Sequence, residues 1–554
     1  MKKLSLIFFL IPALSLFSQN LDSLFNDFLR IEGLPHYVKG QVVTSVGAPI
    51  KCGFGTINNV KLNFNNFKPE QQKFISSVLQ RFVTDTSIVS PSGKFRIHYD
   101  LRKHYDAAKH DSADNRPMYD INELSKAADS SYNFEVNIMG FPPPPKDGNA
   151  GGDDKYDIYI QNLAGGLYGY TETDRQITDS TYTAFTVIDN DFGAGYYTHR
   201  IDAARVTVAH EFHHAIQVGN YIFRMTDQFY YELTSTSMEE FVYDSINDYY
   251  NYLGYYFSSP NKAFSSNDGY DLAIWNIFLK DRFGFGIIKR AWELMPAERA
   301  LQAVAGSIQD AGSNFKIEFN TFGLWTYLTG HRSVPGKYFK EASSYPLINP
   351  LMNTQFNRPT TTLTVTSEAV SNNFLVLSNS TSAPADTLVA LISNCDISGG
   401  LSVPAKNNAF TFTLSSQPFS DARKVLDGYY TKLDAVNSFV FSQSNIFNNI
   451  PIAEGQIISD NIDYAFPQPF RYSSQQTLFF PVFISSDGTA ELYVYDINMK
   501  LVYSGQKRIV AADKVVVPWD GIDSDGKKLG TGVYIYITKS GDKIKKGKFV
   551  IYND

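Results

Sequence analysis

Hydrophobic patterning changes character along this 554-residue chain. Residues 68–82, KPEQQKFISSVLQRF, set Phe74, Val78 and Phe82 on one face of an amphipathic helix. A turn at Ser90–Gly93 leads into KFRIHYD, which alternates as a half-buried strand. Over 121–139 the spacing of Leu124, Ala128, Tyr132 and Val136 predicts a helix, stopped by Gly140 and the prolines at 142–145. KYDIYI from Lys155 and AFTVIDND from Ala184 read as strands. Helices are predicted over about 201–218 and 229–248, with further helical segments near 271–281, 286–294 and 297–311. Strand, helix, two strands and then helices only is the order of an α+β domain.

Beyond Pro350 short alternating runs replace helical periodicity. TTTLTVTS, FLVLS, DTLVALIS and AFTFTLSS, punctuated by Asn, Ser, Gly and Pro, predict a β-sandwich to about residue 457. LFFPVFIS, AELYVYDI, VVVPWDG, GVYIYITK and KGKFVIYND predict a second, smaller sandwich from about 458.

The opening MKKLSLIFFLIPALSLFSQN has a basic start, an apolar stretch too short to span a bilayer comfortably, and a cleavage zone around Ser18. The chain therefore divides into a signal peptide (1–18), an N-terminal segment and candidate propeptide (19–90), the α+β domain (91–348), a β-sandwich (349–457) and a C-terminal sandwich (458–554). No later run has the length of a transmembrane helix, and the expected location is secreted or on the cell surface. A net charge of −7 with no basic stripe argues against nucleic acid as a partner. With two cysteines, Cys52 and Cys395, disulfides cannot be the main source of stability.

Chemistry concentrates in VTVAHEFHHAIQ, residues 206–217. His210 and His214 are four apart, so on a helix they project from one face and can chelate one zinc ion, with Glu211 placed as general base. The competing reading is a pair of helix-face histidines in a satisfied core, and His213 reads as a packing or supporting residue. A catalytic zinc takes three protein ligands. FYYELTSTSMEEFVYD supplies Glu232 and, seven residues on, Glu239 on the same helical face. One can bind metal while the other orients an imidazole.

These spacings resemble the gluzincin metallopeptidases, and the resemblance implies Glu232 as third ligand and Glu239 as the acid behind the ligands. Tyr230 and Tyr231 stand where many relatives have Trp and Asn. Tyr270, in NDGYDLAIWNIFL, resembles the tyrosine those enzymes use toward the oxyanion. SPSGKFRIHYD, GFPPPP, GGDDKYDIYI, AHEFHHAIQ and MEEFVYDSINDY resemble a family of secreted, multi-domain bacterial metalloproteases. The implied architecture is a zincin-like α+β domain followed by two immunoglobulin-like sandwiches. FPQPF, YVYDINMKLVYS, WDGIDSDGKKLGTGVYIYI and KGKFVIYND resemble the C-terminal sorting domains of the type IX secretion pathway, which implies the export machinery as a partner.

AFTVIDND is expected to pair with an extended substrate as an edge strand. Asp153, Asp154 and Asp157 offer hard oxygen ligands for Ca2+, or form a solvated acidic turn. Cys52, in PIKCGFG, faintly resembles a cysteine switch, and is otherwise a disulfide partner of Cys395 or an idle thiol. The expectation is a secreted zinc metallopeptidase acting on protein or peptide, with an endopeptidase mode favoured. The alternative is a non-catalytic surface adhesin or glycan-binding protein carrying a relic zincin domain.

Overall fold

The computed structural model describes residues 13–38, 41–43, 48–106, 111–163, 166–357, 360–379, 386–401, 407–415, 429–434, 453–458, 464–473, 475, 477–483, 488–511 and 515–553. Most of the expected leader, residues 1–12, lies outside them. The chain is mixed α/β with several sheets and forms two compact units, Met1–Asp248 and Tyr249–Asp554. Among the described residues no helix is long and apolar enough to cross a membrane.

The first unit is built on a six-stranded sheet in the order Ile50–Cys52, Leu167–Gln176, Tyr182–Asp189, Tyr156–Gln161, Phe95–Tyr99, Thr86–Val89. Leu167–Gln176 runs antiparallel to Tyr182–Asp189 and parallel to Ile50–Cys52. The expected boundary at residue 90 thus cuts through one sheet. Phe28, Ile31, Ile57 and Val60 share a core with Tyr159, Tyr170, Phe185 and Val187. A three-residue strand carries too little alternation to announce itself, which is why 19–90 reads as a separate segment.

The helix Arg200–Asn220 packs against the sheet, against Ile121–Tyr132 and against Gln228–Val242. It is buried on nearly every side, as its run of Ala and Val requires. It comes close to the sheet at Gly169, where a Cβ would sit 2.8 Å from both Thr207 Cγ2 and the Val187 carbonyl oxygen. Any side chain there would push helix and sheet apart.

The second unit opens with the helices Tyr250–Ser258, Ala273–Phe283, Gly286–Leu294, Ala300–Asp310 and Phe315–Tyr327. Phe315–Tyr327 packs on strand Asp386–Asn394, Tyr327 stacks on Phe374 (centroids 5.9 Å) and Asn320 donates to Ser393 Oγ at 2.9 Å. Trp275 and Phe278 of Ala273–Phe283 pack in turn on Phe319 and Phe322 of Phe315–Tyr327, so these helices belong to this unit although the sequence pattern placed them in the 91–348 domain. Four-stranded and three-stranded sheets follow over 352–458. At the C-terminus a five-stranded and a three-stranded sheet share one core of Phe480, Leu492, Val494, Val517, Trp519, Tyr536 and Phe549.

Candidate metal centre

His210, Glu211 and His214 lie on Arg200–Asn220, Glu232 and Glu239 on Gln228–Val242, and all five are fully buried. Their neighbours fix each ring. His210 Nδ1 is 2.8 Å from Glu239 Oε1 and His214 Nδ1 is 2.8 Å from Gln217 Oε1. The Gln217 amide nitrogen donates to the Tyr231 carbonyl at 3.1 Å, so its oxygen faces the imidazole. Each ring therefore donates from Nδ1, and each neutral imidazole has a lone pair at Nε2.

Those two Nε2 atoms converge. They are 3.2 Å apart, and Glu232 Oε2 lies 3.1 Å from one and 3.2 Å from the other. Three electron-pair donors at such spacing repel one another unless a cation stands between them. Tetrahedral zinc with bonds near 2.0–2.1 Å holds its ligand atoms about 3.3 Å apart. The donor set matches that spacing and the N/O preference of zinc. Glu232 Oε1 is a buried atom without a hydrogen-bond partner, a further sign that this carboxylate is placed for something other than protein.

A fourth donor completes the group. Cys52 Sγ is 3.5 Å from His214 Nε2, and Cys52, His210, His214 and Glu232 each offer one atom within 4.8 Å of the others. A zinc–sulfur bond near 2.3 Å beside a zinc–nitrogen bond gives a separation of about 3.5 Å. Cys52 and Cys395 are not joined in a disulfide, so the disulfide reading of Cys52 is corrected.

Electrostatics follow from burial and proximity. Burial opposes a charge on His210, but the hydrogen bonds of Glu232 and Glu239 outweigh it and raise its pKa to about 9. Burial also opposes ionisation of Glu232, yet the two histidines bring its pKa down to about 2. Burial, then the Glu211 and Glu232 carboxylates, push the Cys52 thiol well above its ordinary value. Burial raises Glu211, with His214 and His210 acting against it. Thr171 anchors Glu211 from the sheet, its Oγ1 lying 2.7 Å from the Glu211 carbonyl oxygen and 2.9 Å from Oε2.

Lys51, next to Cys52 in sequence, reaches Glu239 Oε2 at 2.8 Å and Asp248 Oδ2 at 2.5 Å. Tyr168 and Thr198 hold the other Asp248 oxygen at 3.2 and 2.5 Å. Phe54 stacks face to face on His214, centroids 4.0 Å apart. His213 points elsewhere, to Glu135 at 2.8 Å and edge-on to Phe141.

A family model described as a family of unknown function (DUF6055) matches residues 83–304. That stretch holds His210, Glu211, His214, Glu232 and Glu239 and leaves out Lys51 and Cys52. No curated protein matches the chain. Among solved structures it is similar to PorZ of Porphyromonas gingivalis, described as an essential bacterial surface component of the type-IX secretion system. That likeness has 14% identity over 30% of this chain and 29% of that chain, with a TM-score of 0.13. Dimeric latent PorU of the same organism gives 14% identity over 36% and 19%, with a TM-score of 0.13. The neural ectodermal development factor IMP-L2 gives 12% over 37% and 91%, with a TM-score of 0.10. The chain spans under a third of PorZ and of PorU, and no functional conclusion rests on likenesses of this size.

Other expected residues fall as follows. AFTVIDND is not an edge strand: Tyr182–Asp189 lies inside the sheet between two neighbours. The edge strand at this end is Ile50–Cys52, paired with Leu167–Gln176, whose Gly169 and buried Thr171, Glu172 and Thr173 hide its alternation. The Ca2+ expectation is not met by the geometry, because each aspartate is engaged by a base. Asp153 pairs with Arg96 and Lys155, Asp154 with Lys146, and Asp157 with Arg81 and His98. Tyr270 belongs to the second unit, where it opens the single turn Tyr270–Leu272, half-buried, with its ring 5.7 Å from Tyr252. Sequence reasoning passed over Lys51, Phe54, Asn58, Thr171 and Asp248. The signal for Lys51 was its adjacency to Cys52.

Proposed function

We propose that the first unit is a zinc-dependent peptidase, with His210, His214 and Glu232 as ligands and Glu211 as general base. The observation that carries this reading is the convergence of two imidazole lone pairs and a carboxylate oxygen on one buried point. A bound zinc ion supplies Lewis acidity toward a peptide carbonyl. Glu239 holds His210 in the tautomer that leaves Nε2 bare, and Gln217 does the same for His214. Glu211, steadied by Thr171, takes a proton from the attacking water and returns it to the leaving amine. Buried surroundings exclude competing water and strengthen each of these contacts. Tyr270 keeps the oxyanion role only on motif order, and export by the C-terminal sandwich rests on motif order as well.

A second reading, a non-catalytic protein whose metal is structural, is favoured by one observation, the thiol at the fourth position. Casein cleavage by the zinc-loaded chain, with Cys52→Ala to free that position, separates the two. Glu211→Gln in that background should lower the rate about 10²–10⁴-fold with zinc content unchanged. No cleavage by Cys52→Ala that also carries Asn58→Ala, which frees the Thr171 and Thr173 backbone groups, or equal cleavage by the Glu211→Gln form, would overturn the peptidase reading.

A further inference from the structure

Residues 50–58 meet the candidate centre and the strand Leu167–Gln176 at once. Cys52 brings a sulfur to the three converging donors at a distance suited to the same ion. Beyond Cys52 the chain follows the side of Leu167–Gln176 turned away from Tyr182–Asp189, where a sheet offers backbone groups to an extended peptide. Those groups recur at alternate residues, and three of them are taken by residues 50–58. Gly53 N donates to the Gly169 carbonyl at 2.9 Å. Asn58 Nδ2 donates to the Thr171 carbonyl at 2.8 Å, and Thr173 N donates to Asn58 Oδ1 at 2.8 Å. Asn58 thus imitates one residue of a neighbouring strand with its side chain. Phe54 covers the face of His214 and Lys51 binds the carboxylate that orients His210.

We infer that Cys52 is the fourth protein ligand of the metal and that residues 50–58 fill the groove an extended substrate would use, so that this chain closes its own site. The inference rests on the metal reading given above and adds how access to that centre is controlled. On metal binding the thiol proton leaves to solvent and the sulfur becomes a thiolate ligand. Freeing the position requires only that Cys52 be withdrawn or replaced; His210, His214 and Glu232 remain.

The test uses the full chain, wild type and Cys52→Ala, with Cys52→Ser as a conservative second variant, each loaded with one equivalent of Co2+. Wild type should show a thiolate-to-cobalt charge-transfer absorption in the near ultraviolet. Both variants should lack it while keeping the visible bands of bound cobalt. Acetohydroxamate, a bidentate ligand for an open position, should change the visible bands of the variants and bind them about tenfold or more tightly than wild type. Cobalt bound by wild type without the sulfur band would overturn the ligand assignment. Equal response of wild type and variants to hydroxamate would overturn the closure. If the spectra behave as stated and a Cys52→Ala, Asn58→Ala double variant still cleaves no casein, the inference stands and the peptidase reading fails. If no chain binds cobalt, the metal reading and the inference fall together.

Discussion

Lys51→Met removes the cation between two buried carboxylates and leaves a side chain of similar volume. Lys51, Glu239 and Asp248 side chains are each at most 1% exposed, and the two contacts are 2.8 and 2.5 Å. The carboxylates hold the ammonium well above the lysine range despite its burial. Taking one partner from a buried pair costs about 3–5 kcal/mol, since the remaining charge is stranded away from water. For a unit of this size that is roughly 6–20 °C in melting temperature. Burial opposes ionisation of Asp248, and Lys51 is the first group that keeps its pKa low. Without Lys51 the pKa in the fold should rise above the ordinary aspartate value. Stability of the variant is then largest at low pH, where Asp248 is protonated, and falls as pH climbs through the raised value. Calorimetric melting from pH 5 to 8, with the transition of the first unit assigned by hydrogen exchange in residues 200–242, reads both effects. Adding Asp248→Asn should restore part of the loss by removing one stranded charge. A loss below about 1 kcal/mol with no pH dependence would refute the reasoning.

Two further outcomes are expected. Glu239→Gln should weaken zinc binding about 10–100-fold, measured by competition with a chromophoric chelator, because His210 loses its anionic anchor while every ligand atom remains. Asp271 is buried, and burial raises its pKa to about 7 from 3.8. Its contribution to stability is therefore present below about pH 4 and lost as pH rises through 7, up to about 4 kcal/mol. Asp271→Asn should flatten the urea midpoint of the second unit between pH 4 and 8, whereas an unchanged slope would contradict the burial argument.

The candidate ligands were legible because their signal is local. His210, Glu211 and His214 fall on one helix, and Glu232 and Glu239 on the next share a face, so helical periodicity alone brings them together. Cys52 is 158 residues before His210 in the numbering, and only sheet pairing joins them. Its strand has three residues, too few for any pattern to register. The strand Leu167–Gln176 escaped for the opposite reason. Its inward side chains include Thr171, which serves Glu211, and Thr173, which meets Asn58, so polar residues occupy positions where alternation expects apolar ones. The sheets beyond residue 350 were readable as texture, since alternation and turn residues recur in them. The division at Asp248 was not, because helices carry no mark of which sheet their aromatic faces will cover.

The most direct test of the centre is a zinc titration of the metal-free full chain, followed calorimetrically, beside His214→Ala and Glu232→Gln. One equivalent should bind tightly to wild type, with affinity falling at least about 10-fold in each variant. No saturable zinc binding by wild type, or binding of the same affinity by His214→Ala, would contradict it.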